Sequence, residues 1–169
     1  MKKLRKGFTL LELLVVIGVM GIMSSMAMIA GQQTTDAARA NAIADSLEKA
    51  ASAMMMYYAD NADDIALNGT TAENVVKGAK AYLKSTVDLF DEDNEGTADG
   101  AYSITIVNEN TPGATWWIAY TFSAADTGIK NIMANKAKRM GLKTTNSSTG
   151  LEYGSTAAAL TNMVYMQVR

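Results

Sequence analysis

The sequence predicts an α+β fold in which one long amino-terminal helix packs on a small antiparallel sheet. Residues 8–59 contain no proline and carry apolar residues at helical spacing, whereas three later segments are apolar and β-branched or alternate as strands do. The length of 169 residues leaves room for one modest domain beyond the first half of the helix. We therefore expect a single head of three or four strands built around the second half of the helix.

The first half of this helix has the composition of a membrane span. Residues 13–30 are 18 residues without a charge, and they follow a basic start. At 1.5 Å per residue they are roughly 27 Å long, close to the roughly 30 Å hydrocarbon core of a bilayer. The cations ahead of the span and their scarcity after it predict a cytoplasmic amino end. A buried core helix is the alternative, although such helices are usually shorter.

One acid, Glu12, lies near the start of the apolar run. A removable secretory signal is the main alternative explanation of the run, because Ser25 and Ala27 have the spacing of a signal peptidase site. Glu12 argues against it, since a carboxylate disfavours insertion and intramembrane acids are by default candidates for function. Glu12 lies four residues past Phe8, about 6 Å along a helix, and can reach the membrane interface in a monomer.

The residues around Glu12 resemble a known signal. The sequence KGFTLLE at residues 6–12, followed by an unbroken apolar run, resembles the class III signal of type IV pilins and pseudopilins. The resemblance covers about residues 1–31 and implies a type IV pilin-like fold for the whole chain. It also implies that a membrane-embedded prepilin peptidase cleaves between Gly7 and Phe8 and N-methylates Phe8.

The resemblance divides the chain into four parts. These are the cleaved basic leader (1–7), the transmembrane and filament-core half of the helix (8–31), its amphipathic second half (32–59), and a globular head (60–169) with 32–59 as its spine. A helix over residues 8–59 is roughly 78 Å long. Its second half has one apolar stripe, formed by Ile43, Leu47, Ala50, Met54 and Tyr57.

Cleavage gives Glu12 a specific partner. It creates an ammonium on Phe8, and in a filament that ammonium lies in an apolar bundle, where an unpaired charge is unfavourable. The Glu12 carboxylate of a neighbouring copy is its natural partner, so we expect pairing between copies to set their axial register. The main partner of this chain is then the chain itself, as a helical homopolymer.

The head is expected to contain two helices, a hairpin and a final strand. Thr70 and Glu73 have capping-box spacing before a helix over residues 71–85. A second helix over residues 123–139 stops at Gly141, with its lysines off the apolar side, which is formed by Ile129, Ile132, Met133, Ala137 and Met140. Residues 142–153 resemble a loop, and residues 160–169 alternate as a strand that holds the carboxyl terminus.

The hairpin is predicted from residues 101–107 and 114–122, which flank a turn-forming segment. In the second strand one face consists of Trp116, Ile118, Tyr120 and Phe122, and we expect it to cover the spine helix. Trp117 points the other way, either as a contact between subunits or as a half-exposed side chain. Tyr57 and Tyr58 are interpreted as core aromatics.

An acidic segment has part of a calcium-loop pattern. Its acids at positions one, three, five and nine are Asp91, Asp93, Glu95 and Asp99, with Gly96 at position six. Position twelve is Tyr102, so the bidentate glutamate of an EF-hand is missing. A solvated acidic loop is the favoured reading, calcium the weaker alternative, and no other cofactor is expected.

Charge and cysteine content restrict the function. Loss of the leader removes Lys2, Lys3, Arg5 and Lys6, which leaves 11 basic against 17 acidic residues, a net charge of −6. The one basic cluster of the exported part contains Lys136, Lys138, Arg139 and Lys143, and DNA binding is not supported. Cysteine is absent, whereas many Gram-negative pilins have a disulfide. This difference favours a major pseudopilin or a pilin from a Gram-positive or anaerobic lineage.

The preferred function is structural. Histidine and cysteine are absent and no catalytic constellation is present, so we do not expect an enzyme. The resemblance implies a subunit, the major pilin, held in the inner membrane until an assembly machine polymerises it into an extracellular filament. A major pseudopilin of a type II secretion system, in a periplasmic pseudopilus, is the alternative. A membrane-anchored or secreted binding module is an alternative of another class.

Overall fold

A computed structural model describes residues 8–83, 102–107, 113–155 and 160–169, and it is dominated by one helix. This helix, α1, spans Leu10–Asp60, 51 residues or about 76 Å. It ends at Asn61, whose backbone N–H donates to the carbonyls of Tyr57 and Tyr58. The prediction of one helix over residues 8–59 is confirmed to within two residues at each end.

The two halves of α1 have different surroundings. The large apolar side chains from Phe8 to Met28 are exposed, whereas the second half buries one face against the head. Of the predicted stripe, Ile43, Leu47, Ala50 and Met54 are buried and Tyr57 is half-buried, as expected. The opposite face includes an ion pair between Lys49 Nζ and Asp45 Oδ2 at 2.6 Å, and near its end it also exposes Met55 and Met56.

Two short helices follow α1. The helix α2 spans Ala62–Asn68 and α3 spans Ala72–Lys80. The helix α2 is not among the predicted elements, and the predicted cap of α3 lies one residue too early. Thr71 is the N-cap and accepts a hydrogen bond from the backbone N–H of Asn74 at 3.3 Å. Thr70 is buried instead, so the predicted Thr70–Glu73 capping box is wrong.

The α+β prediction is confirmed, with a four-stranded antiparallel sheet in the order β1-β2-β4-β3. The strands are β1 Tyr102–Val107, β2 Thr115–Thr121, β3 Leu142–Lys143 and β4 Met163–Gln167. The strands β1 and β2 form the predicted hairpin, with Ile104 opposite Ile118. Between β2 and β4, Ala119 lies opposite Tyr165, so the last strand joins the centre of the sheet.

The helix α4, Thr127–Met140, packs against α1 and ends at Gly141 in the left-handed conformation (φ 67°), as predicted. It begins four residues later than expected, because a turn precedes it in which the Ser123 N–H donates to Asp126 Oδ2 at 3.2 Å. Asp126 also lies 3.8 Å from Arg39 on α1. The start of α4 is therefore tied to the spine helix.

Residues 142–153 are more regular than the predicted loop. They form β3 and a bridge between Lys143 and Glu152, and the Tyr153 N–H donates to the Leu142 carbonyl at 3.1 Å. Tyr153 is fully buried, and its hydroxyl donates to the carbonyl of Thr161 at 3.1 Å. Burial raises the pKa of Tyr153 to about 12.

The core lies between α1 and the sheet, where the predicted face of β2 is buried. Trp116 is its largest member, with its ring 6.3 Å from Tyr57 and 5.5 Å from Tyr58. The Arg169 guanidinium lies 4.0 Å from the centre of the Tyr58 ring, and the Val168 N–H donates to the Trp116 carbonyl at 2.8 Å. The carboxyl terminus is thus held at the aromatic core, and the core reading of both tyrosines is confirmed.

Two predictions about side-chain exposure are wrong. Trp117 is fully buried rather than half-exposed or in contact with another subunit, because side chains on both faces of the central strand β2 are covered. Lys130 was placed off the apolar side of α4 but is only 7 % exposed, and its Nζ donates to Asn162 Oδ1 at 2.7 Å. A hydrogen-bond acceptor before β4 thus allows a lysine on the buried side.

Gly154 tests the packing of the Tyr153 turn. A Cβ at Gly154 would lie 2.2 Å from the Ala134 Cβ, and its φ of 76° disfavours any other residue. We expect Gly154→Ala to lower the free energy of unfolding by about 3 kcal/mol through the combined clash and strain. Gly141→Ala is the matched control, since φ is 67° there but the space is open. Equal losses in thermal unfolding of the full chain in detergent would contradict the clash.

Tyr153 also predicts a pH dependence. Its pKa is near 10 in the unfolded chain and about 12 in the folded head, so the folded state retains the proton longer. Its contribution to stability is complete below pH 10 and is lost, by about 2 to 3 kcal/mol, as pH rises to 12. Tyr153→Phe should be less stable at pH 9 but lose less between pH 10 and 12. Parallel curves in urea unfolding would rule out this linkage.

Candidate processing and assembly site

The first turn of α1 is closed by a capping box between Thr9 and Glu12. Thr9 is the N-cap, with extended backbone (φ −79°, ψ 150°), and α1 begins at the next residue. The Glu12 N–H donates to Thr9 Oγ1 at 3.2 Å, and the Thr9 N–H donates to Glu12 Oε2 at 2.9 Å. The Thr9 hydroxyl also donates to Glu12 Oε2 at 2.9 Å. Two hydrogen bonds therefore hold the carboxylate at the helix start, and the third ties the Glu12 backbone to Thr9.

This position suits a negative charge. The first backbone N–H groups of a helix have no partner within the helix, and its amino end is the positive end of the dipole. Phe8, 84 % exposed, lies before the helix and four residues from Glu12, about 6 Å along the axis. An amine on Phe8 and the Glu12 carboxylate thus lie near the same exposed end.

The surface around this end is apolar and uncovered. From Phe8 to Met28 every large apolar side chain is at least 45 % exposed. Within the described part of the chain, α1 is the one helix that is long and apolar enough to cross a membrane, judged by length and composition. The apolar window of α1 is not buried inside the protein. Lipid or other protein must cover this surface, because so large an apolar area is unfavourable in water.

Some of the predicted site residues lie within the described part of the chain and others lie outside it. Phe8 and Glu12 are described, whereas Gly7 lies outside the described residues, so cleavage after Gly7 stays a prediction. The calcium candidates Asp91, Asp93, Glu95 and Asp99 also lie outside them, and calcium binding remains untested. Thr9 is not among the predicted site residues, although the Thr-x-x-Glu spacing ahead of an apolar run is the signal for a capping box.

The four residues of the predicted basic cluster differ in their exposure to solvent. Lys138 and Arg139 are exposed in the last turn of α4, where cations suit the negative end of the helix dipole. Lys136 and Lys143 are partly buried, and Lys136 Nζ contacts Asn41 Oδ1 on α1. Two of the four cations are therefore involved in the packing of the head. Nothing in this arrangement adds support for DNA binding.

A comparison with known protein families finds a match at the amino-terminal end of the chain. A family model described as "Prokaryotic N-terminal methylation motif" matches residues 2–28. No curated protein and no solved structure matches the chain. The matched residues contain Phe8, the Thr9–Glu12 capping box and most of the uncovered apolar surface. Residues 2–28 are a class III signal, the mark of type IV pilin-like and pseudopilin proteins.

Proposed function

We propose that this chain is the major structural subunit of a type IV pilus-like filament. Prepilin peptidase cleaves between Gly7 and Phe8 and N-methylates Phe8, and the mature subunits polymerise through the first half of α1. One observation carries the proposal: a long uncovered apolar helix with a single capped carboxylate, Glu12, at its end. A methylation motif over the same residues supports it.

The uncovered helix requires two successive environments. Before assembly, lipid covers it, because the bilayer core accepts an apolar helix whose backbone is internally hydrogen-bonded. After assembly, the same surface is covered by helices of other copies. The head does not have to unfold for this transfer, since its own core uses only the second half of α1. The subunit can therefore leave the membrane as one preformed unit.

Small residues on the helix allow close packing in the filament. A Cβ built at Gly18 or Gly21 meets no atom within 4 Å, so both glycines lie on open helix surface. They are three residues apart and share one side of α1. Small residues of this kind let membrane helices approach closely and pack by van der Waals contact. We propose that a neighbouring α1 packs over them.

The charges at the end of the helix then set the register between copies. An ammonium on Phe8 enters an apolar bundle, and it needs a counter-charge there. Glu12 of a second copy supplies the carboxylate. Because Phe8 and Glu12 are four residues apart, pairing between copies displaces one helix along the other by about 6 Å or somewhat more. A repeated displacement of this kind produces a helical assembly.

The partners and compartments follow from this role. Its partners are other copies of the same chain, the inner membrane, prepilin peptidase and a pilus or secretion assembly machine. It is held in the inner membrane before assembly and lies in an extracellular filament afterwards. The methylation motif is typical of structural proteins, and we propose neither an enzymatic activity nor a cofactor. The head, with its acidic exported surface, serves as the outer layer of the filament.

A major pseudopilin of a type II secretion system is the second candidate. The same motif is found in pilins and pseudopilins, and the absence of cysteine favours a pseudopilin over the disulfide-containing pilins. In this case the filament is a periplasmic pseudopilus that moves cargo. Microscopy of cells separates the two candidates, since a pilus is seen outside the cell and a pseudopilus is not.

The processing step predicts a defined amino terminus. Mature protein expressed with prepilin peptidase should begin at Phe8 and carry one additional methyl group, as measured by mass spectrometry of the amino-terminal peptide. A Gly7→Leu variant should retain the leader, because a bulky side chain next to the scissile bond obstructs the peptidase. An amino terminus near Met28 would show instead that the apolar run is a secretory signal, and the proposal would fail.

The register pair predicts an assembly defect. Glu12→Gln keeps the size and shape of the side chain and removes its charge, so the Phe8 ammonium of the next copy loses its counter-charge. We expect cleavage at Phe8 to persist and the yield of sheared filaments to fall at least about tenfold. Glu48→Gln is the matched control, since Glu48 is an exposed acid on the same helix. Wild-type yield from Glu12→Gln would refute this role.

A further inference from the structure

The Thr9 hydroxyl donates to a different kind of acceptor from the hydroxyls of Ser25 and Thr34 within α1. Ser25 Oγ donates to the Ile22 carbonyl and Thr34 Oγ1 to the Gly31 carbonyl, both at 2.8 Å within the helix. Thr9 Oγ1 instead donates to a carboxylate oxygen, Glu12 Oε2, while it accepts the Glu12 N–H. Thr9 thus contacts both the backbone and the side chain of Glu12.

The two oxygens of the Glu12 carboxylate are consequently unequal. Oε2 accepts both the Thr9 N–H and the Thr9 hydroxyl, at 2.9 Å each. Oε1 accepts no hydrogen bond from the described residues. A carboxylate has about four acceptor positions, so a further donor can bind at Oε1 without breaking the capping box. Glu12 therefore has one oxygen that is fixed and one that is available.

Fixing the side chain in advance favours binding. A free glutamate on an exposed helix samples many rotamers, and an arriving partner has to order them. In this chain the hydroxyl and the N–H of Thr9 have already selected one arrangement. Donors directed at one oxygen orient the whole carboxylate, because its two oxygens are rigidly joined.

We propose that Thr9 is a positioning residue for assembly. Its hydroxyl holds Glu12 so that Oε1 can accept a hydrogen bond from the Phe8 ammonium of a second copy. In the membrane-bound monomer the same hydroxyl keeps the carboxylate hydrogen-bonded. This proposal rests on the proposed function, because it deepens the role of Glu12 there. It differs from a role in helix initiation alone, which needs only the bond from the Glu12 N–H to Thr9 Oγ1.

The test measures filament yield per processed subunit in the full chain. Thr9→Val removes the hydroxyl and keeps the branched shape, and we expect the yield to fall about fivefold, the effect of losing one typical hydrogen bond to the carboxylate. Thr9→Ser should restore the yield. Thr34→Val is the matched control, since it removes a hydroxyl from the same exposed helix, and it should behave as wild type. Thr9→Ala replaces the valine variant if valine blocks cleavage.

A double-mutant cycle separates positioning from helix initiation. If Thr9 acts through the Glu12 charge, Thr9→Val should have little further effect in the Glu12→Gln background. The proposal is overturned by wild-type yield from Thr9→Val, by a serine variant as defective as valine, or by an equal fold loss in both backgrounds. A wild-type chain that is not cleaved at Phe8 or forms no filament contradicts the proposed function itself.

Discussion

Every backbone N–H and C=O group of α1 needs a hydrogen-bond partner, in the exposed first half as well as in the second half, which packs inside the head. One continuous helix supplies these partners in both halves. Its N–H and C=O groups bond along the helix, so the first half needs no partner from the head. Its second half can then supply one wall of the core with Leu47, Ala50 and Met54. The remaining architecture depends on this division, because the head must be complete without the first half.

The head is completed by the sheet and by the end of the chain. The strand β2 lies between β1 and β4, and Trp116 on its inner face contacts Tyr57 and Tyr58 near the end of α1. The last residues hydrogen-bond to the backbone of Trp116, and Arg169 stacks on Tyr58. The first helix and the final strand therefore meet at one aromatic cluster, which holds both ends of the head together.

At the other end of α1, one charged group is kept within an apolar surface. Glu12 is compatible with that surface because Thr9 supplies two donors to its carboxylate and the helix start supplies a favourable dipole. The same capping box leaves one carboxylate oxygen available. A local rule of helix initiation and a proposed contact between copies thus use the same side chain, which links folding of the subunit to its assembly.

The long helix, its apolar first half, the hairpin and the positions of Phe8 and Glu12 can be predicted from the sequence alone. These features depend on periodicity, charge and a short motif, all of which are local along the chain. The burial of Trp117, the contact of Lys130 with Asn162 and the strand within residues 142–153 are seen only in the folded head. Lys130 and the strand depend on β4 or the residues just before it, and Trp117 depends on a central place in the sheet. These relations join residues that are distant in sequence, so pattern and spacing do not reveal them. Thr9 differs from these residues, because its capping box is local and the Thr-x-x-Glu spacing that predicts it can be recognised in the sequence.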